Sequence, residues 1–180
     1  MSDKAKRLAL LAVGVALFVV LSLCLQVPVF ENYYLCLGYL VMAVYCWCFG
    51  PLAGTVTGVF GVILYCLVIS GLRGMPGWAL GNIPIGVGMA LFFRAVRRMK
   101  KRWLGLLLGI PAVIAACAAG ILAVKSLTEH LLYQQPFAVR VGKNFSAFVA
   151  DAAVLILSLP LCERLEQPAR KLFPGLCVKE

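Results

Sequence analysis

Long apolar runs separated by short polar breaks make up most of the chain. The runs lie at about Leu8 to Leu25, Leu35 to Phe49, Leu52 to Ser70, Trp78 to Val96, Leu104 to Val124 and Phe145 to Leu161. Most approach the roughly 20 apolar residues that a helix needs to cross a bilayer; the second is short for a full crossing. The pattern predicts an all-α membrane protein, six transmembrane helices in one bundle, forming a single domain over residues 1–180.

The breaks are as informative as the runs. Phe49-Gly50-Pro51 joins two apolar segments with no charge between them, which reads as a hairpin in lipid. Gly50, Gly54, Gly58 and Gly61 are spaced four, four and three apart, so on a helix they form a smooth face that a neighbouring backbone can approach. Ser70 to Gly77, with three glycines and a proline, reads as a loop. Lys125 to Asn144 is the longest connector, and a polar tail follows from Cys162. In the fourth run Trp78 and Asn82 share a helix face, and Pro84 removes a backbone donor, marking a kink or a polar cavity. Ala5, Ala9, Ala12 and Ala16 form one stripe on the first helix, which serves either docking of a partner or packing within the bundle.

Composition agrees with the pattern. The chain is 63% hydrophobic and 13% charged, with mean hydropathy +0.97, against about 25% charged residues in soluble domains. The formal charge of +10 is divided among the breaks and not gathered on one surface, so it indicates membrane lipid and topology; no nucleic-acid partner is expected. Placing the N-terminus, the Arg94 to Arg102 loop and the tail on one side collects 13 of the 17 Lys and Arg residues. By the positive-inside rule that side is the cytoplasm, with both termini there. The eight cysteines show no C-x-x-C pair, and no metal or cofactor is called for. The N-terminal run has no small-residue cleavage site and reads as a retained helix.

The opposite, outer side then holds the polar variety: Glu31, Asn32, Tyr33, Tyr34, Arg73, Trp78, Asn82, Glu129, His130, Tyr133, Gln134, Gln135, Arg140 and Lys143. Such a set can line a pocket for a polar organic solute. Asp151 stands within the sixth run, seven residues after Asn144 and seven before Ser158, so the three share a face. A carboxylate inside a span costs about 2.5–3.5 kcal/mol on insertion scales and needs a partner: Lys125, Lys143, Arg140 or a solute group. It either binds the solute or forms an internal salt bridge. The candidate substrate-binding residues are therefore Glu31, Asn32, Tyr34, Arg73, Trp78, Asn82, Tyr133, Gln134, Lys143, Asn144 and Asp151. No G-x-x-x-x-G-K-[ST] loop, H-E-x-x-H motif or G-x-S-x-G elbow occurs, so the chain carries no nucleotide site of that kind and is not expected to be an enzyme.

The six-run layout, the FGPLAG turn at Phe49 to Gly54 continuing through Gly58 and Gly61, and the Ala12-x-x-x-Ala16 pair resemble a substrate-binding S component of an energy-coupling factor (ECF) vitamin transporter. The resemblance covers nearly the whole chain and is nearest to riboflavin-type and uncharacterised members. It implies a bundle in the bacterial plasma membrane that captures a water-soluble vitamin or related micronutrient at the outer face. Delivery would need a membrane coupling subunit with two ATP-binding subunits, docked through small residues of the first helix; carried over, these are Ala9, Ala12 and Ala16. Many relatives have an acidic residue shortly after the glycines of the third helix, where this chain has Val62-Ile63-Leu64-Tyr65, which implies different substrate contacts there. Two other readings of the residues stay open: a stand-alone proton-coupled carrier using Asp151, and a membrane scaffold without a solute.

Overall fold

Helices account for nearly all of a computed structural model that describes residues 3–24, 28–30, 33–70, 75–99 and 101–178. Helix α1 (Asp3–Cys24) leads to a two-stranded antiparallel ribbon, β1 (Pro28–Phe30) and β2 (Tyr33–Tyr34). Then come α2 (Gly38–Phe49) and α3 (Pro51–Tyr65), the latter continuing as a π-helical segment Cys66–Ser70. Helix α4 is Met75–Arg97. Helix α5 (Arg102–Cys117) runs through a second π-helical segment, Ala118–Lys125, into α6 (Ser126–Tyr133), and α7 is Phe137–Leu172.

Five helical stretches are long and apolar enough to cross a membrane: Lys4–Cys24, Pro51–Ile69, Met75–Arg97, Trp103–Tyr133 and Phe137–Leu172. The sixth run is different. At about 1.5 Å per residue the 12 residues of α2 span about 18 Å, well short of the roughly 30 Å hydrocarbon core. Nine of those 12 residues are buried, because α3, α4, α7 and α1 all pack around α2. It is the core of the bundle. Tyr39, Met42 and Trp47 are fully enclosed, with Phe18 of α1 and Phe93 of α4 against them.

The α2–α3 turn follows from its residues. Gly50 has φ +92°, a conformation that a side chain disfavours, and Pro51 begins α3 where its missing N–H is harmless. A Cβ on Gly54 would lie 2.0 Å from Cys46 Sγ and 2.8 Å from its backbone nitrogen, so the two arms of the hairpin touch backbone to side chain. A second close approach was not apparent in the sequence: a Cβ on Gly81 or Gly120 would meet the other's carbonyl oxygen, at 2.7 and 2.4 Å, letting α4 and the second π-helical segment nearly merge.

Several expected boundaries are corrected. The last helix starts at Phe137, not Phe145, and continues to Leu172 through residues read as a tail. The fifth does not close at Val124, and the long connector is helical except for residues 134–136. These segments were read as loops because they are polar. They are helical because their polar groups answer one another across α6 and α7, and because Glu166 accepts hydrogen bonds from Arg170 Nε and Nη2 one turn on (3.2 and 2.9 Å).

Alternation of the helices divides the bundle into two ends. The N-terminus, the Gly50 turn, the basic segment after α4 and the C-terminal tail share one end, where Trp47 Nε1 donates to Glu166 Oε2 (3.0 Å). There Arg97 donates to the Trp47 carbonyl and the tail returns to α2 through Val178 N–H to Cys48 O (2.9 Å). The ribbon and the turn at residues 134–136 lie at the other end.

Candidate substrate-binding site

At that other end a chain of hydrogen bonds crosses three helices. The Trp78 indole N–H donates to the Tyr39 hydroxyl (2.9 Å), which donates to Asn82 Oδ1 (2.8 Å), whose amide donates to the Gly58 carbonyl (2.9 Å). Tyr39 and Asn82 are both 0% exposed, so each bond is made where water cannot replace it. The Asn82 amide orientation follows from the chain, since only its nitrogen can serve Gly58 O. Tyr65 stands edge-on to Trp78 with ring centroids 5.7 Å apart.

Asp151 of α7 faces this chain. It is buried, interacts with the Tyr39 hydroxyl, and lies in the field of Lys125. Of the cations considered for it, Lys125 is the one placed beside it. Arg140 instead pairs with Glu129 (Nη1 to Oε2, 3.6 Å) and lies over the Tyr133 ring, 4.9 Å from its centroid. Asn144 Nδ2 lies 3.0 Å from both Glu129 Oε2 and Ser126 Oγ. The Ser126 hydroxyl in turn donates to Ile121 O (3.2 Å), a carbonyl of the π-helical segment, whose wider turn displaces the regular i to i−4 pairing.

Among the described residues, this layer holds two acids, Glu129 and Asp151, and two bases, Lys125 and Arg140. Its charges are balanced and its members come from α2, α3, α4, α6, α7 and the second π-helical segment. The ribbon packs on α7. Such a layer can hydrogen-bond a neutral, flat, polar molecule and stack against it, without a net charge to be cancelled.

The sequence candidates divide accordingly. Trp78, Asn82, Tyr133, Asn144 and Asp151 are brought together, and Asn144, Asp151 and Ser158 are all buried, as their sevenfold spacing requires. Gln134, which caps α6 with φ +51°, and Lys143 are exposed and turn away from the layer. Glu31, Asn32 and Arg73 lie outside the described residues, and for Tyr34 only the backbone, in β2, is described. Tyr39, the hub, was missed. Its signal was a phenol near the start of the second apolar run, whose hydroxyl must find a partner once buried.

The alanine stripe faces outward. Helix α1 packs inward through Leu10, Gly14, Phe18 and Ser22, one row at every fourth position, all buried. Ala9, Ala12 and Ala16 are exposed, so the stripe does not serve packing within the bundle.

Buried polar chemistry among apolar crossing helices defines a membrane-embedded protein with an internal polar layer. The chain matches the family described as ECF-type riboflavin transporter, S component, over residues 2–167, and it belongs to that family. It is a transport subunit of the vitamin-uptake class. No curated protein matches it.

Proposed function

We propose that the chain is the high-affinity binding subunit of an ATP-driven ECF importer and that its solute is riboflavin or a close relative. The observation that carries this is the charge-balanced layer built on Trp78, Tyr39, Asn82 and Asp151, taken with the family. A flavin offers a flat ring system for aromatic contacts and a rim of donors and acceptors for amide, hydroxyl and carboxylate groups. Asn144, Asp151, Asn82 and Trp78 are the residues assigned to the solute, with Glu31, Asn32, Tyr34 and Arg73 kept as further candidates from the sequence. Tyr133 contributes through Arg140, whereas the outward positions of Gln134 and Lys143 favour a role at the rim.

Six crossings, with α2 and its ribbon counted together as the second, put both termini in the cytoplasm and this layer on the outer side. The exposed Ala9, Ala12 and Ala16 stripe is the surface for the membrane coupling subunit, which carries two ATP-binding subunits. Purified protein is expected to bind riboflavin without ATP, read as quenching of flavin fluorescence, while uptake into cells requires the coupling subunits. Absence of flavin binding by folded protein overturns the solute. Uptake by vesicles holding this chain alone overturns the coupling and favours the proton-carrier reading. Ala12→Leu is expected to leave flavin binding and stability unchanged, within about 0.5 kcal/mol for an exposed site, and to abolish co-purification of the coupling subunit.

A further inference from the structure

The turn between α6 and α7 carries polar atoms that the rest of the layer does not use. Among the described residues, Gln135 Oε1 and Arg140 Nε are fully covered and have no hydrogen-bond partner, an arrangement that is costly for a protein to leave unmade. The surrounding contacts hold both residues in place. Gln134 takes the left-handed conformation (φ +51°), the His130 Nδ1–H donates to Gln135 O, and the Arg140 N–H donates to Pro136 O (3.2 Å). The Arg140 guanidinium is fixed by Glu129 on one side (3.6 Å) and by the Tyr133 ring against its face (4.9 Å), contacts that leave Nε without a partner.

We propose that Gln135 and Arg140 form a subsite for a hydroxyl of the polyol chain that riboflavin carries on its ring, an inference that rests on the flavin reading above. A covered donor and a covered acceptor on one turn call for a group that can both accept and donate. A hydroxyl does so through a single atom, whereas an anion cannot donate to Gln135 Oε1 and an ammonium group cannot accept from Arg140 Nε. Nor does the charge of Arg140 call for an anion, since Glu129 already faces it. The place of the turn in the layer fits the substituent better than the ring. Glu129 stands between the turn and Trp78: its Cγ lies 3.0 Å from where a Cβ on Gly77, the neighbour of Trp78, would be, and its carboxylate meets Arg140 on the other side. A ring set against Trp78 and Tyr65 is therefore one side chain away from the turn, and what reaches past Glu129 is the flexible chain.

The test compares riboflavin with lumiflavin, the same ring bearing a methyl group in place of the polyol, by fluorescence titration of the purified full-length protein. The wild type is expected to bind riboflavin at least about tenfold tighter. Gln135→Leu, which keeps the bulk and removes the acceptor, weakens riboflavin about tenfold and lumiflavin less than about twofold. Arg140→Lys, which keeps a charge facing Glu129 and removes Nε, separates the two ligands in the same direction, and lumiflavin binding reports that each variant is folded. Equal affinity of the wild type for the two flavins, unchanged riboflavin affinity in both variants, or equal loss of both flavins in Gln135→Leu each overturn the subsite and leave the flavin reading intact; the last would assign the turn to the ring edge. Absence of binding of either flavin by folded wild type overturns the flavin reading instead, and the hydroxyl subsite then stands or falls with ribitol, the polyol without the ring. Ribitol is expected to raise the melting temperature of the wild type more than that of Gln135→Leu, and equal shifts overturn the subsite.

Discussion

The two ends of the bundle each bury polar groups, but they satisfy them differently. At the basic end the pairing is gathered around two side chains, Glu166 and Trp47: Arg170 grips Glu166 one turn away, Trp47 donates to the same carboxylate, and Arg97 lies 5.2 Å over the Trp47 ring. The helices there are regular, and the tail is fastened by Phe173 against Phe49 as well as by Val178. At the other end the network branches over six elements, and two helices approach it through π-helical segments, Cys66–Ser70 and Ala118–Lys125. Irregular helix ends of this kind recur at functional sites, because they redirect carbonyls and side chains from their regular positions. The first cluster is a clasp. Under the proposed function, the second exchanges its internal partners for those of a solute.

The largest way to break this contrast is Asp151→Ala. It removes the acid beside Lys125 in a buried setting, for which a loss of about 3 kcal/mol is expected, together with loss of flavin binding. Unfolding followed in detergent measures the first and fluorescence titration the second. Adding Lys125→Met should restore most of the stability and none of the binding, whereas restoration of both would make the pair purely structural.

Tyr39→Phe is next. It keeps the ring and strands the Trp78 N–H and Asn82 Oδ1, at a cost of about 1–3 kcal/mol. Flavin affinity is expected to fall at least about tenfold, an amount equal to about 1.4 kcal/mol. Unchanged affinity would move the solute away from this hydrogen-bond chain.

The smallest effect is expected at the clasp. Glu166→Gln keeps one of the two acceptor functions and lowers stability by about 1 kcal/mol, a value reduced by the solvent exposure of Arg170. Flavin binding should be unaltered in the same titration. A loss of binding there would join the two ends into one functional unit and erase the difference drawn between them.

Much of this was written in the chain itself. Apolar run lengths set the membrane class, because the bilayer demands about 20 residues of any crossing helix. The Gly50-Pro51 turn, the Gly54 contact with its hairpin partner, and the common face of Asn144, Asp151 and Ser158 all follow from fixed local geometry. Tertiary structure decided what depends on partners distant in sequence. Residues 126–144 read as a connector because polarity alone resembles a loop; they fold as two helices because Glu129, Ser126, Asn144 and Arg140 satisfy one another only when α6 and α7 face each other. Tyr39 became the hub because Asn82, 43 positions away, and Trp78, 39 away, meet its hydroxyl, and no periodicity encodes that meeting. The alanine stripe had two possible uses by spacing alone; the competing row of Leu10, Gly14, Phe18 and Ser22 took the inward face and left the alanines outside.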